Sequence, residues 1–141
     1  MATILVVEDN PTNMRLAAYV LESAGHTVLT ATDAEAGLTQ ARESLPDLIL
    51  MDIQLPGMDG LEATAHLKEN PATRAIPVIA LTALAMKGDE ERIRAAGCDG
   101  YIAKPMSYKD LLSTITARLE GSPIEADDTP DIGQGTGYPQ G

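Results

Sequence analysis

Asp47-Leu48-Ile49-Leu50-Met51-Asp52 sets four aliphatic residues in an unbroken row between two acids. A short run without polar alternation reads as a strand buried on both faces. Pro46 stops whatever precedes it, and Pro56-Gly57 supplies turn chemistry soon after it. The strand thus delivers a carboxylate, Asp52, to its carboxyl end. Similar runs recur on both sides. Thr3 to Glu8 is β-branched and apolar, and closes on two acids, Glu8 and Asp9. Thr27 to Ala31 reads as another strand. Pro77-Val78-Ile79-Ala80-Leu81 ends at Thr82, and the short Tyr101-Ile102-Ala103 ends at Lys104-Pro105.

Helical spacing fills the intervals. Asn10 is suited to cap a helix with Pro11 in its first position, where a missing N–H costs nothing. Leu16, Ala17, Val20, Leu21 and Ala24 then keep a 3.6-residue period until Gly25. Asp33 caps a second helix with Leu38, Ala41 and Leu45 on its inner face. A third is expected from about Leu61 to Glu69, and a polar fourth from Lys87 to Ala96, stopped by Gly97. Ser107 and Asp110 resemble a capping box ahead of a stripe of Leu111, Leu112, Ile115 and Leu119. Five strand–helix alternations predict an α/β fold, a parallel sheet doubly wound with helices on both faces. Such sheets bind ligands outside the carboxyl ends of their strands.

The chain has 141 residues, enough for one core, with 44% hydrophobic residues. Four Tyr with neither Phe nor Trp make that core aliphatic. A formal net charge of -11 works against binding nucleic acid or an anionic membrane surface, both of which call for a basic face. The single Cys98 excludes an intramolecular disulfide and fits a reducing compartment. The apolar run near the N-terminus is too short for a signal peptide or a membrane span, so a cytoplasmic location is expected. Residues 1–120 read as one folded unit. From Gly121 to Gly141 the chain holds five Gly, three Pro, four acids and no base, an acidic tail with too little to bury and expected to be disordered.

The strand ends bring together the residues able to do chemistry. Glu8, Asp9, Asp52, Thr82 and Lys104 all fall at one edge of the expected sheet. Three clustered carboxylates repel unless a cation offsets them, and a hard divalent ion such as Mg2+ is the natural solution. Such an ion can also hold a phosphoryl oxygen, with Lys104 pairing a second oxygen and Thr82 donating to a third. Asp52 would then be the nucleophile. Taken singly each residue is weak: Asp9-Asn10-Pro11 is also ordinary turn chemistry, and a strand-end Lys is usually solvated. Their meeting at four strand ends carries the weight.

These residues resemble the receiver domains of two-component response regulators, the CheY-like family. The matching elements are Val6-Val7-Glu8-Asp9-Asn10, Asp47 to Asp52, Pro56-Gly57-Met58-Asp59-Gly60, Leu81-Thr82-Ala83 and Lys104-Pro105, spread over about Thr3 to Leu119. Met51-Asp52-Ile53-Gln54-Leu55-Pro56 and the run from Thr82 to Arg92 are similar to the DivK type of stand-alone regulator. The resemblance implies a flavodoxin-like strand order of 2-1-3-4-5 with five helices, and Asp52 as the phosphoacceptor. It implies Mg2+, with Mn2+ as an alternative, held by Glu8, Asp9, Asp52 and the Gln54 carbonyl. Thr82 and Lys104 would contact the phosphoryl group, Thr82 and Tyr101 would form the switch, and Pro105 would follow a cis peptide bond. The partners implied are a histidine kinase or histidine phosphotransfer protein and a downstream protein target, with a monomer or a phosphorylation-dependent dimer. Such a protein accepts and loses a phosphoryl group but is not a turnover enzyme.

Three alternative readings fit parts of the pattern. A phosphatase of the haloacid dehalogenase type wants two acids in DxD spacing after its first strand, which Glu8-Asp9-Asn10-Pro11 lacks. A flavin binder wants a Gly- or Ser-rich loop there rather than an acidic one. The last is a receiver-like binding module that works without phosphorylation. His26 and His66 are isolated and read as structural or solvated. Gly88-Asp89-Glu90-Glu91-Arg92 reads as a solvated helix start, on a face that the resemblance implies is used for binding, and Met86 and Tyr108 read either as core-edge packing or as facing a partner.

Overall fold

The computed structural model describes residues 2–83, 87–104 and 107–119. Along the chain run β1 (Thr3–Val7), α1 (Pro11–Ser23), β2 (Thr27–Ala31), α2 (Ala34–Ser44) and β3 (Leu48–Asp52). Then follow α3 (Gly60–Glu69), β4 (Val78–Thr82), α4 (Lys87–Ala95), β5 (Gly100–Ala103) and α5 (Tyr108–Leu119). The five strands pair in parallel in the order β2-β1-β3-β4-β5, as expected. The tail 121–141, Pro105 and Met86 lie outside the described residues, and with them the expectations of disorder and of a cis peptide bond.

Strand alternation sends residues to two cores. Ile4, Val6, Leu48, Leu50, Ile79, Leu81 and Ile102 pack against Ala17, Val20 and Leu21 of α1 and against Leu111 and Ile115 of α5. Leu5, Val7, Ile49, Met51, Val78 and Ala80 face Ala34, Leu38 and Ala41 of α2, Ala63 and Leu67 of α3, and Ile93 of α4. The five residues of β3 are all buried, because helices cover both of its faces. Each large aliphatic side chain so placed contributes about 1.5–3 kcal/mol by leaving water. β2 has one strand neighbour, and only Ala31 of its residues is buried.

Capping follows local chemistry. Asn10, Asp33 and Asp59 accept from the backbone N–H of Asn13, Ala36 and Glu62 at 3.0, 2.8 and 2.8 Å. Ser107 Oγ accepts from Asp110 N at 3.1 Å. Two expectations need correction. Leu45 is not on the inner face of α2; it caps that helix in the left-handed region at φ 46 and is 53% exposed. Leu16 and Ala24 also stay outside the α1 core, which buries only Ala17, Val20 and Leu21. The contact of α1 with the sheet is narrower than its apolar stripe.

Candidate functional site

The backbone assembles the site first. Asp52 ends β3 in register with Leu81, and Thr82 ends β4 in register with Ala103. The ladder continues just past the strands: Glu8 N donates to Ala31 O at 3.0 Å, Ile53 N to Leu81 O at 3.1 Å and Lys104 N to Thr82 O at 2.7 Å. Glu8, Asp52, Thr82 and Lys104 therefore leave the sheet at one edge with fixed spacing. The loop after Asp52 folds back on itself through Gly60 N donating to Ile53 O at 2.9 Å. A Cβ at Gly60 would strike the Asp52 carbonyl oxygen, so only glycine lets α3 start this close beneath it.

The side chains then make a crowded charge cluster. Asp52 and Glu8 are 2% and 1% exposed. Lys104 Nζ stands 3.0 Å from Asp52 Oδ2 and 3.0 Å from Glu8 Oε1. The first contact is a hydrogen bond; the second is an ion pair without hydrogen-bond alignment. The other oxygens are met by the backbone, Asp52 Oδ1 by Gln54 N at 3.0 Å and Glu8 Oε2 by Asn10 N at 3.1 Å. Asp9 is exposed, and carboxylate oxygens of Glu8, Asp9 and Asp52 lie within 4.8 Å of one another.

One ammonium does not balance three carboxylates. Burial pushes the Glu8 carboxyl above its ordinary range, and contact with Asp52 pushes the same way, against the Asn10 N–H and Lys104. Burial pulls the Lys104 ammonium down, but Asp52 and Glu8 outweigh it and the net shift is upward. The Glu8 shift reflects chiefly the loss of water around a buried carboxyl, and the Lys104 shift the surplus of negative charge beside it. All the donors are hard oxygens, two of the acids are buried and the third faces solvent, a set that fits a divalent cation retaining water.

Glu8, Asp9, Asp52 and Lys104 are thus brought together, with Thr82 fully buried at the neighbouring strand end. Gln54 turns its side chain to solvent and meets Asp52 through its backbone. Val78, Ala80 and Thr82 alternate to one sheet face, and Tyr101, in register with Ala80, projects to that same face. Tyr101 is half-buried, and its hydroxyl donates to Glu90 Oε2 of α4 at 2.9 Å. That bond, before burial, holds its phenol above the ordinary range. Sequence reading passed over Glu90, because nothing in a charged helix start shows which acid faces β5.

Known proteins resemble this chain in sequence and in fold. The family model of the response regulator receiver domain matches residues 4–116. The polar-differentiation response regulator DivK of Brucella anthropi is 50% identical over 117 residues, covering 83% of this chain and 95% of that protein. DivK of Brucella melitensis matches at the same identity and coverage. A response regulator of Chloroflexus aurantiacus superposes with a TM-score of 0.81 at 31% identity, over 84% of this chain and 98% of that one. The receiver domain of a sensor histidine kinase from Pseudomonas aeruginosa, solved with magnesium ion coordinated in the active site cleft, gives 0.78 at 39% identity, over 86% and 98%. With the strand order, the acidic edge and the family match in agreement, this chain belongs to the response regulator receiver domains of two-component signalling.

Proposed function

We propose that Asp52 accepts a phosphoryl group from a phosphohistidine on a histidine kinase or histidine phosphotransfer protein, and that the modified chain signals by contact with a downstream protein. The observation that carries this reading is a buried strand-end carboxylate with Lys104 on one oxygen and two further acids alongside. An Asp52 oxygen forms the bond to phosphorus as the donor's phosphorus–nitrogen bond breaks, and the imidazole leaves with that electron pair. Gln54 N holds Oδ1 and so fixes the carboxylate plane. Lys104, now shared by Asp52 and Glu8, is placed to pair a phosphoryl oxygen, and the Thr82 hydroxyl offers a donor from the next strand. Glu8, Asp9, Asp52 and the Gln54 carbonyl are the groups proposed to hold Mg2+, which supplies positive charge to the transferring oxygens when bound. The chain is a phosphoacceptor in this account, not a turnover enzyme.

The surface beside the site supports a protein donor. α1 leaves directly from the acidic edge, and Leu16, Tyr19 and Val20 of α1 join Tyr108 and Leu112 of α5 in an apolar groove of about 390 Å³. Tyr19, Tyr108 and Leu16 are 70%, 62% and 42% exposed, a concentration of uncovered apolar area that marks a contact surface. No helix among the described residues is long and apolar enough to cross a membrane.

Intact-protein mass after incubation with acetyl phosphate and Mg2+ tests the reading. A single phosphoryl adduct is expected in the wild type, lost with EDTA and absent from Asp52→Asn. An adduct that survives Asp52→Asn, or none in the wild type, contradicts it and favours a module that binds without phosphorylation.

A further inference from the structure

Tyr101 and Thr82 lie on the same face of the sheet, toward the end that carries Asp52, and the family resemblance implies that they form the switch pair. Tyr101 is not adrift there. Its hydroxyl donates to Glu90 Oε2 at 2.9 Å, across a separation of eleven residues from β5 to the first turn of α4. Glu90 is itself held, since its Oε1 faces Arg94 Nε at 3.7 Å one helical turn on. That orientation, acid four residues before base, is the favourable one on a helix. The acceptor is therefore a charged group braced from its own helix.

A phenol carries a single O–H and donates one strong hydrogen bond at a time. While Glu90 holds it, the Tyr101 hydroxyl is committed to α4 and the ring is committed to the half-buried position that goes with it. Moving the ring toward Thr82 requires giving up a charge-assisted bond. We propose that Glu90 is a positioning residue that holds Tyr101 in the resting state and so sets how readily the chain passes to its phosphorylated form. This inference rests on the reading of Thr82 and Tyr101 as the switch pair. It adds the counterweight: the equilibrium is biased by the strength of the bond on α4, as well as by the group on Asp52. An acceptor of this kind shifts the two-state ratio by about three- to tenfold.

Two measurements test it. In protein labelled with 13C at the tyrosine ring, with Tyr101→Phe assigning the signal, Glu90→Ala is expected to move the Tyr101 resonance and lower the pH at which its hydroxyl ionises. Glu90→Gln, which keeps an oxygen but not the charge, should fall between. A Tyr101 signal unmoved by Glu90→Ala overturns the tether, whatever the protein does with phosphate. The second is the rate of adduct formation with acetyl phosphate and Mg2+. Glu90→Ala is expected to raise it about three- to tenfold, and to change nothing further in a Tyr101→Phe background. An equal effect in both backgrounds, or none in either, overturns the coupling. A wild-type chain that takes no phosphoryl group contradicts the proposed function rather than the tether, which the resonance still decides.

Discussion

The two ends of the sheet handle charge in opposite ways. At the amino ends of the strands, Lys68, Asp99, Asp47 and Arg118 tie elements together. Lys68 Nζ donates to Asp99 Oδ2 at 3.1 Å, Ile76 O at 2.8 Å and Arg74 O at 3.2 Å. Asp99 Oδ2 also accepts from Val78 N at 2.8 Å, and its carbonyl accepts from Arg118 at 3.0 Å. Asp47 accepts from Thr3 N at 2.8 Å. At the carboxyl ends, Glu8 and Asp52 share Lys104, and with Asp9 alongside the acids outnumber it. One end spends its polar groups on tying α3, β4, β5 and α5 together. The other leaves a charge imbalance that a bound cation, or a proton on Glu8, would settle. The lesson is that unbalanced, buried charge, more than charge itself, separates the functional edge from the structural one.

Substitutions on the two edges should therefore fail differently. The largest effect is expected from Asp9→Ala, which removes an exposed acid of the cluster. Adduct formation with acetyl phosphate and Mg2+ should fall about a hundredfold or more, while urea unfolding stays within about 1 kcal/mol of wild type. Loss of folding together with activity would erase the contrast.

On the structural edge, Asp99→Ala should cost about 2 kcal/mol, because Val78 N and Lys68 lose a charged acceptor, yet still allow phosphorylation. Cys98 reports on the same change. It is buried beside Thr64, with Thr64 Oγ1 at 3.8 Å, and burial raises its thiol above the ordinary range. It should resist thiol reagents in the wild type and react faster in Asp99→Ala.

Glu8→Gln sharpens the comparison in the other direction. Without metal, it should stabilise the fold by about 1 kcal/mol near neutral pH, a common size for one substitution. The sign follows from the upward shift of Glu8. A carboxyl with a higher folded than unfolded value takes up a proton on folding between the two, so its contribution to stability falls as pH rises through that window. The advantage of Glu8→Gln should thus shrink as pH drops toward the ordinary carboxyl range. An advantage independent of pH would remove the electrostatic explanation. The smallest effect is expected at Asp47→Ala, an exposed bond to Thr3 N, at about 0.5 kcal/mol in thermal unfolding.

Much of this was legible in the sequence because the signals were local. Continuous apolar runs ending in Glu8-Asp9, Asp52, Thr82 and Lys104 announce buried parallel strands, and parallel pairing then brings those ends to one edge. Caps at Asn10, Asp33 and Ser107 act within three residues and were equally readable. What escaped depends on placement across the fold. Glu90 gains its meaning only because α4 lies over β5, and Lys68 only because α3 ends beside Asp99. Leu45 fitted the apolar period of α2, but a left-handed cap turned it to solvent, and period alone does not say where a helix stops.

The most direct test of the central claim locates the phosphoryl bond itself. The chain would be phosphorylated with acetyl phosphate and Mg2+, reduced with borohydride, digested and sequenced by mass spectrometry, since borohydride converts an aspartyl phosphate to homoserine. The account predicts homoserine at position 52 and at no other acid. Homoserine at Asp9 or elsewhere, or an adduct that survives borohydride unchanged, would contradict it.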